Sequence, residues 1–191
     1  MRNKFYLFLL PVLVITILSG KTFAAPKAVL TTSSIAASNI NQGSTNLIVY
    51  AVNMKVTVTA VTVNNVKFTL SGTHDNSDLT YAYIYYNATA PVISGASYLG
   101  SVAANFAGPH NYSVNISKAM AVNEEGYYII AVSLTNTATD NRTIQINGAT
   151  NPVVFGYSAA TTVVNNQTNK AGLQTIQAAD ITLSSSAVPA A

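Results

Sequence analysis

Apolar positions along this chain recur with a period of two, in short runs separated by Asn, Asp, Gly and Ser. No window longer than about eight residues carries a capped helical period. Leu47 to Val52 is a continuous apolar run, expected of a strand buried on both faces. Met54, Val56, Val58 and Ala60 alternate with Lys55, Thr57 and Thr59, the pattern of a strand with one face in the core. Val61 and Val63 change the parity, which calls for a bulge or short turn. Asn64-Asn65 predicts a tight hairpin turn, because Asn tolerates positive φ. Val66, Phe68 and Leu70 then resume the alternation. After a loop at Gly72 to Asp78, the strand Leu79 to Tyr86 puts Tyr81, Tyr83 and Tyr85 on one face and Ala82, Ile84 and Tyr86 on the other.

Further strands are predicted at Tyr98 to Phe106, Tyr112 to Ile116, Tyr127 to Leu134, Ile144 to Ile146, Val153 to Phe155 and Ile176 to Leu183. Roughly eight to ten short strands at this spacing indicate an all-β, antiparallel, Ig-like or Greek-key sandwich. Its extent is expected to be residues 43–183. Residues 25–42 are small and polar, and read as either a loose arm or an irregular first strand. Residues 184–191 read as a flexible tail.

The first 24 residues have a different character. Arg2 and Lys4 precede an apolar run from Phe5 to Leu18, and Thr22 and Ala24 put small residues at −3 and −1 of a cut before Ala25. This is the pattern of a secretory signal peptide. The run is shorter than the roughly 20 residues a membrane-spanning helix needs. The expected location is therefore secreted, extracellular or cell-surface, with no membrane span after cleavage.

That leader changes the charge picture. The 191-residue chain holds 9 Lys+Arg and 6 Asp+Glu, a net of +3. Removing Arg2, Lys4 and Lys21 leaves six basic residues against six acidic ones. A neutral chain lacks the basic footprint of a nucleic-acid partner. Cysteine is absent, so there is no disulfide, thiolate metal site or thiol nucleophile.

The order of several segments carries a family resemblance. These are Asn39, Gln42, Gly43, Ser44 and Asn46, then Ile48 to Ala51, Val56 to Val63 and Val66 to Thr73. Ser77 to Leu79, Tyr98-Leu99-Gly100, Glu125 to Val132 and Asn141 to Ile144 follow. Over roughly residues 30 to 150 the chain resembles the Ig-like β-sandwich modules of secreted and surface proteins of Bacteroidetes-type bacteria. The resemblance implies a sandwich fold and supplies no catalytic residues.

Candidate chemistry is sparse. Asp75, Asn76 and Asp78 cluster in one loop and are the candidate oxygens for Ca²⁺, but the loop lacks the D-x-D-x-D-G spacing, and Asp, Asn and Ser also suit a plain turn. No metal or other cofactor is assigned. His74 and His110, the two histidines, read as solvent-exposed loop residues, and no G-x-S-x-G accompanies them. Adjacent Glu124 and Glu125 read as a charged turn rather than as a glycosidase pair, which would face each other across about 5–9.5 Å. No catalytic residue is assigned, and the chain is read as not an enzyme. Five N-x-S/T sequons (Asn87, Asn111, Asn115, Asn141, Asn166) follow from the Asn/Ser/Thr-rich composition.

Two functions remain. The first is a structural subunit that self-assembles into an extracellular fibre, pilus or surface layer, a homo-polymer held by strand exchange. The donor would be the N-terminal arm, through Val29, Leu30, Ile35 and Ile40. The second is a monomeric adhesin or glycan-binding module that contacts a polysaccharide or cell surface through Tyr81, Tyr83 and Tyr85.

Overall fold

The computed structural model describes residues 24–104, 110–169 and 171–178. The signal peptide expected over residues 1–24 therefore lies outside the described residues, Ala24 excepted, as does the tail expected over 184–191. Among the described residues no helix is long and apolar enough to cross a membrane.

Among the described residues twelve strands form two packed sheets. The first sheet has the order β11 (Thr162–Asn166), β1 (Lys27–Ser33), β3 (Leu47–Thr57), β8 (Glu125–Leu134), β5 (Leu79–Asn87) and β6 (Ser97–Ala103). The second has the order β10 (Val153–Tyr157), β4 (Val61–Gly72), β9 (Thr143–Ile146), β12 (Gln174–Gln177) and β2 (Ser38–Asn41), with β7 (Asn111–Met120) also paired to β4. The sandwich is the expected architecture. Its strand count exceeds the expected eight to ten because short polar strands such as β2 and β11 carry no alternation to betray them.

The core lies between the sheets. Tyr128, Ile130, Val132 and Leu134 of β8 point into it, facing Val66, Phe68 and Leu70 of β4. Each is an inward position of a period-two strand, so burial follows directly from the alternation. On the other side of β8, Ile129 and Ala131 are also fully buried. They stand in register with Tyr85 and Tyr83, and with Ala51 and Ile48 of β3.

Two local expectations are corrected. Asn64 and Asn65 do not form a hairpin turn, because β4 runs through them. That strand is held on one side by β7 and on the other by β10, and the Asn pair appears as an irregularity in the β4–β7 ladder. β3 and β4 belong to different sheets, so their link is a crossing rather than a hairpin. Val58 is not an inward residue either: β3 ends at Thr57, and Val58 sits in the crossing turn with φ 78 and 51% exposure.

Residues 25–42 are not a separate arm, and the sandwich begins at β1 rather than at residue 43. β1 lies between β3, to which it is antiparallel, and β11, to which it is parallel. β2 pairs in parallel with β12. Both segments cross from the first sheet to the second side by side, joined at Ile35 and Ala171. Gly172 is required at this crossing, since a Cβ there would strike the backbone of Ala36 and Ala37. Of the four expected donor residues, Leu30 is 1% and Ile40 7% exposed, buried within the molecule itself, while Val29 and Ile35 are half-buried.

Candidate binding face

The outer face of the first sheet carries a ladder of tyrosines. β5 turns Ala82, Ile84 and Tyr86 inward, which leaves Tyr81, Tyr83 and Tyr85 outward. Adjacent ring centroids lie 5.9 Å (Tyr81–Tyr83) and 6.1 Å (Tyr83–Tyr85) apart. Tyr98 of β6 joins them, 5.8 Å from Tyr85 and 6.5 Å from Tyr83, in edge contact with both. Such tilted and T-shaped contacts suit the ring quadrupole and hold the rings in place.

Tyr81 and Tyr98 are 46% and 57% exposed. The inner rings, Tyr83 and Tyr85, stand beside the fully buried Ala131 and Ile129 of β8, while Tyr81 and Tyr98 form an open rim. The Tyr85 hydroxyl donates to Asn46 Oδ1 at 2.8 Å, and the Tyr98 hydroxyl to Ser101 Oγ at 2.8 Å. Burial, with Tyr83 and Tyr98 beside it, pushes the Tyr85 phenol above its ordinary value, so it remains a neutral donor. Tyr98 was not among the residues expected at this face. Its place is set by the β5–β6 register, which pairs it with Tyr85 beside an irregularity at Ile84/Tyr85.

Glu124 and Glu125 are each matched to a different lysine. Glu124 Oε1 lies 2.6 Å from Lys118 Nζ and accepts the Tyr86 hydroxyl at 2.9 Å, while Oε2 accepts the Ala121 N–H. Burial raises the Glu124 carboxyl, but these bonds outweigh it and hold it below its ordinary value. Glu125 pairs with Lys55 at 3.3 Å, both about half exposed, an arrangement worth about 0–1 kcal/mol.

The loop Gly72 to Asp78 departs from expectation twice. A 3-10 turn (Asn76–Asp78) carries Asp78, whose carboxylate is 1% exposed. Its Oδ1 accepts the Thr139 N–H and its Oδ2 accepts Asp75 N–H and Arg142 Nη1. Asp75 also pairs with Arg142. The guanidinium thus takes the carboxylate oxygens that a Ca²⁺ at Asp75, Asn76 and Asp78 would need.

The histidines are not exposed loop residues. His74 is 3% exposed, and its ring lies 4.3 Å from that of His110, at the foot of β7. The backbone of Thr73 and His74 donates to the Thr143 carbonyl, which draws the loop inward. His74 Nδ1, as N–H, donates to the same carbonyl at 3.2 Å, and the buried Nε2 has no partner among the described residues.

Burial and then the neighbouring His110 lower the His74 pKa, against the opposing pull of Thr143, Asp78 and Asp75. Below about 6.5, its ordinary value, the unfolded chain binds a proton that folded His74 refuses. Stability should therefore fall with pH from there, by up to about 1.4 kcal/mol per pH unit for this one group, and level off below the folded value. Urea midpoints at about pH 7.5 and 5.5 measure this, and H74L should remove most of the difference. Equal midpoints in the parent chain would refute it.

No protein-family model matches the chain, and no curated protein matches it. Similar solved structures include CaCohA2 of Clostridium acetobutylicum in solution (TM-score 0.32, 12% identity, 79% of this chain and 91% of that one). A complex of CaCohA2 with a CaDoc0917 variant is similar at TM-score 0.31 and 14% identity, over 79% of this chain and 100% of that one. The seventh ScaB type I cohesin of Pseudobacteroides cellulosolvens gives TM-score 0.32 and 13% identity, over 84% and 99%. Similarity at this level carries no argument about function. The two-sheet architecture rests on the strand pairing of the chain itself.

Proposed function

We propose that this chain is a secreted, surface-displayed binding module, not an enzyme, and that it docks a neutral glycan through the tyrosine ladder of its first sheet. The observation that carries this is the contiguous ladder of Tyr81, Tyr83, Tyr85 and Tyr98 on an open face, with rings fixed by one another. Rings of this kind offer apolar faces to the C–H surfaces of a sugar while their hydroxyls meet its polar groups. Little side-chain entropy is lost, because the inner pair is already ordered.

Native affinity gels containing xylan, a mixed β-glucan or a mannan test this. The parent chain should be retarded by at least one of them, and Y81A/Y98A should lose about tenfold or more in affinity, the scale of an aromatic anchor. Its melting temperature should stay close to that of the parent, since both rings are about half exposed. The chain has no Trp, so tyrosine fluorescence reads the same event directly. Unaltered retardation of the variant, or no retardation of the parent by any of the three, would defeat the reading.

A second reading is self-assembly into a fibre or surface layer. The favouring observation is β11, which among the described residues pairs with β1 alone and exposes Val163 and Val164 by 39% and 36%. It carries none of the charges, prolines or bulges that usually blunt an edge strand. For the N-terminal segment to be the exchanged element, β1 and β2 would have to leave one molecule and enter the next.

A further inference from the structure

We propose that the outer face of the second sheet, opposite the tyrosine ladder, holds a separate site for an acidic oligosaccharide, centred on Lys67. Two clefts of about 620 and 550 Å³ lie side by side there and share Lys67, Ser113 and Val154. Together they form one trough along β4. The strand register puts Lys67 in the middle, with Ser113 of β7 on one side and Val154 of β10 on the other. One wall is the loop from Asn147 to Pro152. That loop is tied to β4 by Asn147 N–H to Thr69 O at 2.8 Å, and is braced from behind by Asn169 N–H to Ala149 O at 3.0 Å. The trough is thus shaped before any ligand arrives.

Along β7 its polarity leans toward donors. Thr69 Oγ1 donates to Asn111 Oδ1, and the two hydrogens of Asn65 Nδ2 are shared among Asn115 Oδ1 and Ser113 Oγ, each at 3.0 Å, and the Val114 carbonyl at 3.2 Å. Asn111, Ser113 and Asn115 therefore spend acceptor oxygens on the sheet and keep hydrogens for the trough. Lys67 adds a cation that makes no ion pair with any described residue. A row of donors around one free ammonium selects a ligand rich in acceptors and negatively charged.

The shape and the count narrow the class. A single lysine is far from the basic track that a nucleic acid requires. A protein partner would want a buried aromatic or Arg anchor, and Val154 is a poor one. An extended chain of hydroxyls with regularly placed carboxylates, such as a uronic-acid oligomer, fits both the open trough and its donors.

The test uses polygalacturonate and its fully methyl-esterified form in titration calorimetry at low salt. The parent chain should bind the acid form at least about tenfold more tightly than the ester. K67Q should lose about tenfold or more, K67R should retain most of the affinity, and Y81A/Y98A should bind the acid form like the parent. Lys67 is an exposed sheet residue, so these variants are expected to fold. No binding of polygalacturonate, equal binding of the ester, or unchanged binding by K67Q would each overturn the proposal. Equal affinity for poly-glutamate would assign the trough to acidic peptides and overturn it as well.

Discussion

Replacing Asp78 with alanine should lower the unfolding free energy by about 3–5 kcal/mol, among the largest effects of any single substitution in this chain. The carboxylate is buried, and it is the meeting point of three donors: Thr139 N–H at 2.7 Å, Asp75 N–H at 2.7 Å and Arg142 at 3.0 Å. Alanine removes both acceptor oxygens and leaves the Thr139 and Asp75 backbone N–H groups without their partner, each loss costing about 1–3 kcal/mol, while Arg142 keeps only its pairing with Asp75. The network also joins distant segments, since Thr135 N–H bonds the Asp78 carbonyl and the Thr135 hydroxyl bonds that of Ser77. For a chain of this size the expected fall in melting temperature is roughly 10 °C. Asp78→Asn keeps one acceptor oxygen but turns an amide N–H₂ toward groups that need an acceptor, so it should recover only part of the loss. Burial acts to raise the Asp78 carboxyl, but the bonds from Asp75, Thr139 and Arg142 prevail and hold it below its ordinary value of 3.8. Its contribution is present above that value and is lost as the pH falls through the lower folded one. Urea titrations of parent and variants at neutral pH decide the matter. A D78A loss below about 1 kcal/mol would show that the network does not hold this end of the sandwich.

The same loop shows where a sequence is readable and where it is not. β8 and the first half of β3 stand out as continuous apolar runs buried on both faces. β5 and β7 were legible because each places one face in the core, and that demand writes a period of two into the residues. Tyr81, Tyr83 and Tyr85 could be placed on a common face for that reason alone. Tyr98 could not be added to them, because its neighbour is chosen by a register shift across a hairpin. His74 read as a loop residue because its neighbours are polar. Its burial is set by Thr143, 69 residues away along the chain, and by the ring of His110, and no local pattern reports them. Asp75 and Asp78 read as oxygens without a cation, and the cation was Arg142. The short strands β2, β11 and β12 are held by remote partners, two of the pairs parallel, and their own polar sequences state no preference. The trough around Lys67 was equally invisible, because its donors emerge only when Asn65 and Thr69 of β4 occupy acceptors of β7.

Deleting residues 25–42 should abolish the fold itself, not assembly alone. β1 supplies the second row of the first sheet, with seven residues in register with β3 and five with β11. Without it, β11 loses the sole strand to which it is paired, and β3 becomes a bare edge. β2 leaves with it and uncovers β12. Leu30 and Ile40 each contribute about 1.5–3 kcal/mol by burial. Thr32 also vanishes from the contact that joins the Tyr50 hydroxyl to the β11–β12 crossing, where Thr168 N–H bonds Thr32 Oγ1 and Tyr50 bonds the Thr168 carbonyl. Against a total stability of about 5–15 kcal/mol, these losses leave no cooperative native state. The expected result is a truncated chain with no sigmoidal urea transition and with weak near-ultraviolet dichroism. A truncation that stops filament growth is therefore not, on its own, a sign of strand exchange. The informative step is to add a peptide spanning residues 24–42. Recovery of the sandwich by that peptide would show that β1 and β2 can be supplied from outside the molecule, the one capacity a donor-strand fibre needs. Failure of the peptide to restore it would confine the segment to its own sheets, and self-assembly would then have to proceed through the uncovered edge of β11. If the truncated chain instead kept a sharp transition near that of the parent, the role assigned to β1 as an interior strand would be wrong.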